Sequence, residues 1–163
     1  MIRRFDATCA RTPVDTLIVG SGPAGVTLAL ELARRGRPSV LLESGDVHPS
    51  EAQALSDAEL VDPRAHDDMR IAVARRLGGS SNLWGGRSLP LDPLDFRPRD
   101  FAAGARWPIS HEDIAPWYET ASRYVNCGAA RFSVSPDLAP RGDGEFSTSQ
   151  IERASNQPRF NKA

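Results

Sequence analysis

The residues that decide the fold read TLIVGSGPAGVTLALELARRGRPSVLLES, at positions 16–44. The apolar run at 16–19 is short and ends in glycine, which is typical of a buried parallel strand. Apolar residues then recur at helical spacing over 23–35, and Gly36 follows where a helix C-cap glycine is common. A second apolar run lies at 39–43. Together these segments predict a β-α-β unit that opens a parallel sheet.

The turn between the first strand and the helix fits the pattern G-x-G-x-x-G. In this context Gly20 permits a tight turn, Gly22 lets the backbone approach a pyrophosphate, and Gly25 lets the helix pack closely on the sheet. The pyrophosphate would lie beside Pro23 and Ala24, because free N–H groups and the positive end of the helix dipole face that position. The turn therefore predicts a dinucleotide site.

An acidic residue closes the second strand, about 20 residues beyond the glycines, which is the usual spacing for a ribose ligand. The Glu43 carboxylate can accept hydrogen bonds from ribose hydroxyls, and Ser44 follows it directly. The same carboxylate would repel a 2′-phosphate, which disfavours NADP. By itself Glu43 would be read as a surface carboxylate, and its position relative to the glycines is what favours ribose binding.

A second glycine-rich segment reads LGGSSNLWGG at positions 77–86. Its glycines and serines can bring many backbone N–H groups and hydroxyls onto a ligand. Trp84 adds a flat apolar surface suited to an aromatic ring, although a core tryptophan is the alternative. We expect this segment to share one cleft with the first turn. The residues predicted to contact the ligand here are Gly78, Gly79, Ser80, Ser81, Asn82, Trp84 and Gly85.

Three blocks in this order resemble the glucose–methanol–choline (GMC) oxidoreductase family. They are residues 14–43, the stretch RRLGGSS at 75–81, and the stretch RWPISHEDIAPWY at 106–118, which is similar to the family's W-P-I-S-x-x-D-L-x-P-Y-Y. The likeness covers about residues 14–125. It implies an FAD enzyme that oxidises alcohols or sugars by hydride transfer to flavin N5. Members are several times longer, and their catalytic histidine lies near the C-terminus.

The resemblance assigns the first glycines to the FAD pyrophosphate, Glu43 to the adenosine ribose, and the second segment to the pyrophosphate and flavin. Trp84 would lie near the isoalloxazine, and it points to the branch that resembles pyranose oxidases and sugar-acid dehydrogenases. In pyranose oxidases the preceding residue is a histidine linked covalently to FAD. Here it is Leu83, which has no nucleophile, so we predict non-covalent FAD.

The rest of the chain is predicted from local signals. Ser50 is a candidate N-cap for a short helix over 51–60. A longer helix is expected over 111–125, with Ser110 as its N-cap and Asp113 completing a capping box. His111 at the start of that helix is expected to face solvent, so the catalytic residue stays unassigned and is expected beyond Ala163.

These elements give an α/β fold class, namely a partial Rossmann-like FAD-binding domain with an irregular, loop-rich and helical extension. We expect an irregular leader at 1–13, the N-terminal part of the FAD-binding domain at 14–105, and a truncated helix and loop-rich continuation at 106–163. The chain is therefore expected to be an N-terminal fragment of a larger enzyme.

Bulk composition narrows the function classes. A net charge of -1 disfavours a nucleic-acid module. A run of about 20 apolar residues is absent from the sequence, so no membrane span is predicted. Cys9 and Cys127 show no metal or redox spacing and are expected to be reduced thiols in a cytoplasmic protein without a metal site. The expected partner is a small alcohol or sugar.

Two other interpretations stay open. A flavoprotein of another class, such as a monooxygenase or a desaturase-like enzyme, would share residues 20–25 and Glu43 but need not share the later blocks. A truncated, non-catalytic polypeptide would bind nucleotide weakly or fail to fold alone. The substrate, the electron acceptor, oxidase versus dehydrogenase chemistry and the oligomeric state are not readable from these residues.

Overall fold

The computed structural model describes residues 2–99, 101, 104, 106–135 and 150–156. The chain divides into two compact units, Met1–Leu83 and Trp84–Ala163. The first unit holds the β-α-β pattern, and the second holds short helices and a two-stranded antiparallel ladder.

The helices and strands of the first unit are α1 (Ala7–Arg11), β1 (Leu17–Val19), α2 (Pro23–Arg34), β2 (Val40–Leu42) and α3 (Met69–Ala72), with 3-10 helices at Glu51–Ser56 and Gly79–Asn82. Strands β1 and β2 pair in parallel, with Ile18 opposite Leu41. The Gly20 N–H extends the ladder by donating to the Leu42 carbonyl at 2.8 Å. The predicted β-α-β start of a parallel sheet is thus confirmed, and the fold class is α/β with a partial Rossmann-like domain.

Helix α2 ends with two hydrogen bonds that satisfy its last carbonyl groups. Gly36 has a φ of +67°, and its N–H donates to the Ala33 carbonyl at 3.0 Å. The Arg37 N–H donates to the Leu32 carbonyl at 2.9 Å. This pair of bonds is the Schellman arrangement, which needs the left-handed conformation that glycine adopts without strain. The role predicted for Gly36 is confirmed.

The N-terminal leader is not wholly irregular, because α1 lies within it. The Asp6 side chain accepts a hydrogen bond from the Cys9 N–H at 2.8 Å, so it caps the first turn of this helix. Asp6 stands directly before the helix, where such a side chain satisfies a donor that the helix leaves free.

The prediction of a helix over 51–60 is wrong in both the length and the type of the helix. A 3-10 helix covers Glu51–Ser56, and Ser50 makes no side-chain capping bond. The physical reason lies in Gln53: its Nε2 donates to the Val73 carbonyl at 2.7 Å, and its Oε1 accepts the Arg75 N–H at 2.9 Å. These bonds to a distant segment hold a 3-10 helix of 6 residues, a helix type that is rarely long.

The helices and strands of the second unit are β3 (Arg87–Ser88), α4 (His111–Ile114), α5 (Tyr118–Tyr124) and β4 (Arg153–Ala154), with 3-10 helices at Pro93–Phe96 and Ala115–Trp117. Strands β3 and β4 pair antiparallel, with Arg87 opposite Ala154. Beside this ladder, Arg87 forms an ion pair at 2.5 Å with Glu152, which directly precedes β4.

The long helix predicted over 111–125 is divided into α4 and α5. Its capping box is confirmed, because the Ser110 N–H donates to Asp113 Oδ2 at 2.8 Å and the Asp113 N–H donates to Ser110 Oγ at 3.3 Å. Pro116 lies in the 3-10 turn between the two helices. Proline has no N–H to donate and its ring clashes with the preceding turn, so one continuous helix is disfavoured.

Apolar burial is slight among the described residues. Ile18 and Cys127 are the buried apolar side chains there, and none of the residues of α2 is buried. On β1, Leu17 is 51% exposed and Val19 is 81% exposed. The β1–α2–β2 unit therefore leaves much of its apolar surface open. No helix among the described residues has the length and apolar character needed to cross a bilayer.

Candidate functional site

The turn after β1 brings the start of α2 next to the end of the strand. Gly20 has a φ of +93°, a conformation that other residues rarely adopt. Gly22 is the N-cap of α2 and has no side chain that could cap the helix. Pro23 occupies the first turn. The first intrahelical bond runs from the Val26 N–H to the Gly22 carbonyl at 3.0 Å. The Ala24 and Gly25 N–H groups, which precede Val26, cannot bond within the helix, so they are open to an anionic ligand.

Two glycines of this turn have different steric surroundings. A Cβ at Gly25 would collide with the Gly20 carbonyl oxygen and would lie 3.3 Å from Ile18 Cγ2. A Cβ at Gly22 would meet no atom within 4 Å. Gly25 therefore serves the close packing of α2 on β1, whereas Gly22 borders open space. The close packing predicted for Gly25 is present, and the open space at Gly22 fits a bound pyrophosphate, whose contact with Gly22 stays a prediction.

The carboxylate of Glu43 lies at the base of the turn. Its Oε2 accepts the Ser21 N–H at 2.9 Å and the Ser21 hydroxyl at 2.5 Å. Its Oε1 accepts the Gly45 N–H at 2.9 Å and the Ser44 hydroxyl at 3.3 Å. Burial raises the pKa of Glu43, but the hydrogen bonds from Ser21, Gly45 and Ser44 outweigh it and lower the pKa below its ordinary value. The group is therefore an anion at neutral pH, adjacent to the first glycine turn.

The two glycine-rich segments are in contact. The Gly78 N–H donates to Ser21 Oγ at 3.0 Å, and a Cβ at Gly79 would lie 3.5 Å from the Gly22 Cα. Ser21, between them, is completely buried. This part of the second segment thus lies against the first turn, and a cleft that the two segments share stays a prediction.

The second segment holds its shape with its own side chains. Gly78 has a φ of +89°. Ser81 Oγ donates to the Gly78 carbonyl at 2.6 Å, and Asn82 Nδ2 donates to the Gly79 carbonyl at 2.8 Å. Ser80 Oγ accepts the Ala74 N–H at 3.2 Å. Ligand contacts by these residues stay a prediction.

The last residues of the predicted site open the second unit. Trp84 is half-buried and Gly85 is exposed. Their contacts with a flavin stay a prediction. Leu83, which precedes Trp84, has an aliphatic side chain that cannot form a covalent bond to a flavin, in agreement with non-covalent binding.

Sequence reasoning missed the part that Arg75 plays beside Glu43. Its Nη1 donates to Ser44 Oγ at 3.0 Å, and its Nε donates to Ser56 Oγ at 3.0 Å. A Cβ at Gly45 would collide with the Arg75 carbonyl oxygen, so the two backbones are closely packed. Arg75 and Ser44 are 31 residues apart, and no periodic pattern in the sequence signals such a contact.

His111 does not face solvent as expected, because its side chain is half-buried. Its ring centroid lies 6.0 Å from that of Phe96 and 6.3 Å from that of Tyr118. Trp107 continues this cluster, with its ring centroid 6.1 Å from that of Phe96. Aromatic packing explains the burial, because rings at these distances attract one another.

Comparisons with known proteins agree with this geometry. A family model described as an FAD binding domain matches residues 13–64, which include β1, α2, β2 and Glu43. The region is thus FAD-binding, and FAD is the cofactor. The parts it needs are present: a helix start with free N–H groups, open space at Gly22, and a carboxylate at the end of β2.

A 2-methyl-1,2-propanediol dehydrogenase from Mycolicibacterium austroafricanum is 26% identical to the chain over 133 residues. The match covers 69% of this chain and 24% of the dehydrogenase. The chain thus spans about a quarter of the length of the curated relative it matches.

Proposed function

We propose that this chain is the FAD-binding part of an oxidoreductase that oxidises a CH–OH group of an alcohol or sugar. The observation that carries the proposal is the junction at Ser21, which bonds both Glu43 and the Gly78 N–H. Through this junction the predicted pyrophosphate turn, the predicted ribose ligand and the predicted flavin loop form one connected structure.

Each part of the chain binds one part of FAD in this proposal. The pyrophosphate lies beside Gly22 against the N–H groups that open α2, next to Pro23 and Ala24. The adenosine ribose donates to Glu43, with Ser44 at the same edge. The remaining cofactor contacts are proposed for the second segment, at Gly78, Gly79, Ser80, Ser81, Asn82, Trp84 and Gly85.

FAD supplies the hydride acceptor when it is bound. The residues of this chain orient the cofactor, and the fully buried Ser21 keeps the junction between Glu43 and Gly78 out of reach of water. We assign no catalytic base to them. In the proposal, the base that takes the proton of the substrate hydroxyl belongs to further polypeptide, because the matched relative is about four times longer than the aligned region.

Exposed apolar surface supports this view of the chain as one part of a larger enzyme. Val40 on β2 is 40% exposed, and Leu28 and Leu30 on α2 are 50% and 46% exposed. A doubly wound domain covers such residues with further strands and helices. The three-block resemblance to the GMC family adds a second line of support.

Similarity to the diol dehydrogenase supports a small alcohol as the substrate. We therefore propose an aliphatic alcohol or diol first and a sugar second. The test is anaerobic mixing of the purified flavoprotein, in its intact form, with 2-methyl-1,2-propanediol, followed by the flavin absorbance near 450 nm. Bleaching by the diol, with none by a tertiary alcohol that has no CH–OH hydrogen, supports the proposal. A flavin that neither the diol nor a panel of primary alcohols and sugars reduces contradicts it.

A second candidate is a flavoprotein of another class, such as a monooxygenase. The observation that favours it is the family match, which covers residues 13–64 and ends before the second glycine segment. The same anaerobic experiment separates the two candidates when NADH or NADPH is added in place of the alcohol. Reduction by NADH or NADPH without reduction by any alcohol favours the second candidate, whereas reduction by alcohol alone favours the first.

A further inference from the structure

We infer that Ser21 is a positioning residue for the adenosine ribose of the cofactor. It fixes Oε2 of Glu43 within the turn and leaves Oε1 to exchange the Ser44 hydroxyl for a ribose hydroxyl. The inference deepens the proposed function and rests on FAD binding at this turn.

The hydrogen bonds of Ser21 give its hydroxyl a fixed direction. Its Oγ accepts the Gly78 N–H at 3.0 Å and lies 2.5 Å from Glu43 Oε2. A hydroxyl has a single proton, and an N–H can only donate, so the Ser21 proton is left for the Glu43 carboxylate. The Ser21 N–H donates to the same oxygen at 2.9 Å. One fully buried residue thus supplies two donors to Oε2, and a ligand reaches that oxygen only by breaking them.

The other oxygen of Glu43 has one firm donor and one weak donor among the described residues. The Gly45 N–H donates to Oε1 at 2.9 Å. The Ser44 hydroxyl lies 3.3 Å away and belongs to an exposed residue. That separation exceeds the usual range for two oxygens, about 2.5–3.0 Å. A ribose hydroxyl at normal distance therefore replaces Ser44 at little cost.

Arg75 makes this exchange easier. Its Nη1 donates to Ser44 Oγ at 3.0 Å, so the serine oxygen keeps a charged donor when its proton turns away from Glu43. Arg75 is itself held by bonds to Ser56 Oγ at 3.0 Å and to the Leu55 carbonyl at 3.4 Å. The exchange thus leaves no buried group without a partner.

The position of Ser21 in the fingerprint makes it a selective probe. The pattern G-x-G-x-x-G demands glycines for the turn but leaves this position free. Ser21→Ala therefore keeps the turn and removes only the hydroxyl that joins Glu43 to Gly78. A matched control is Ser50→Ala, because Ser50 makes no side-chain capping bond to the helix it precedes.

The experiment uses the intact purified protein and two cofactors, FAD and its 2′,3′-dideoxyadenosine analogue. Dissociation constants come from quenching of flavin fluorescence. We expect Ser21→Ala to weaken FAD binding about tenfold, because a Glu43 that is no longer fixed loses one charge-assisted hydrogen bond to the ribose. The same substitution should change binding of the analogue by less than about threefold, because the hydroxyls that Glu43 recognises are absent. Ser50→Ala should leave both constants unchanged.

Ser44→Ala tests the exchange with the opposite expectation. It removes a competitor of the ribose for Oε1 of Glu43, so FAD binding should become tighter. Ser21→Cys, which keeps a small side chain with a weak donor, should fall between the wild type and Ser21→Ala, and it replaces the alanine variant if that variant fails to fold.

Equal weakening of FAD and the analogue by Ser21→Ala would overturn the inference, since Ser21 would then act only on the fold of the turn. The same holds if Ser44→Ala weakens FAD as much as Ser21→Ala does. A wild-type protein that binds no FAD would instead reject the cofactor site itself, so the two failures are distinguishable.

Discussion

The first glycine turn and the second glycine segment meet at Ser21, yet they are held in different ways. In the first turn, backbone geometry and packing dominate: Gly20 has a φ of +93°, and Gly25 has no room for a side chain. In the second segment, side chains bond the backbone of their own loop, as Ser81 does to Gly78 and Asn82 does to Gly79.

This difference supports the separate parts that we propose for the two segments in cofactor binding. A turn held by steric fit offers bare N–H groups and no flexible side chain, which suits close approach by a pyrophosphate. A loop held by hydroxyl and amide side chains has donors that can be redirected toward a ligand. We therefore expect the two segments to tolerate different substitutions. Four changes test this contrast.

Gly25→Ala should have the largest effect. A Cβ here would collide with the Gly20 carbonyl oxygen, which belongs to a backbone that cannot move without disturbing β1. We expect a loss of about 3 kcal/mol in the free energy of unfolding, at the upper end for overpacking. Thermal unfolding followed by circular dichroism measures it. Gly22→Ala is the control: its Cβ meets no atom within 4 Å, so the fold should survive while FAD binding weakens. Equal destabilisation by both would contradict the division of tasks.

Arg75→Met should have the next largest effect. The variant keeps much of the side-chain volume but loses the bonds to Ser44 and Ser56. We expect a cost of about 2 kcal/mol, the range for hydrogen bonds that involve a charged group. Urea unfolding is the measurement. Arg64→Met serves as its control, because Arg64 pairs with Asp62 at a side-chain exposure of 91% and such surface pairs contribute little. If the two variants lose the same stability, Arg75 does not organise the segment beside Glu43.

Gly78→Ala should have a smaller effect. Its φ of +89° strains any residue with a Cβ, and that Cβ would lie 2.9 Å from Asn82 Nδ2, the movable end of a side chain. We expect about 1–2 kcal/mol of destabilisation from the backbone alone. Differential scanning calorimetry of this variant beside Gly85→Ala, whose Cβ meets nothing within 4 Å, isolates the strain. A melting temperature for Gly78→Ala equal to that of Gly85→Ala would show that the second segment does not need this conformation.

The features that the sequence predicts correctly are those that depend on neighbouring residues. Strand β1, helix α2, strand β2 and the cap at Gly36 are all read from neighbouring residues, because periodicity and turn chemistry are local. The capping box of Ser110 and Asp113 is predictable for the same reason.

The features that the sequence does not predict depend on contacts between residues far apart in the chain. The exception is the break in the helix expected over 111–125, which has a local cause. Gln53 shortens the helix expected after Ser50 by bonding Val73, 20 residues away. The bond between Ser21 and Gly78 joins residues 57 positions apart, and no pattern predicts that Ser21 also engages Glu43. Pro116 did carry a local signal against one continuous helix, since proline disrupts a helix interior.

Acid titration of Glu43 should give the smallest effect and the most direct view of the junction. Hydrogen bonds lower the pKa of Glu43 in the folded protein, although burial opposes them. A carboxyl group with a lowered folded pKa stabilises the fold fully above its unfolded pKa, about 4.3 for glutamate, and loses that contribution as the pH falls through the folded value. Other carboxyl groups, among them Asp6 and Asp113, also have lowered pKa values, so the pH dependence of the wild type alone does not report on Glu43.

The difference in melting temperature between the wild type and Glu43→Gln isolates this one group. We expect the wild type to be the more stable protein at pH 7 and the difference to shrink steadily below about pH 4. When Ser21→Ala is added to both proteins, the difference in melting temperature should begin to shrink at a higher pH. The substitution removes the hydroxyl that donates to Glu43 Oε2 and so raises the pKa of Glu43 in the folded protein. A difference that is independent of pH would mean that Glu43 acts through its shape alone. The bond from Ser21 would then hold the two glycine segments together without fixing the charge that the ribose site requires.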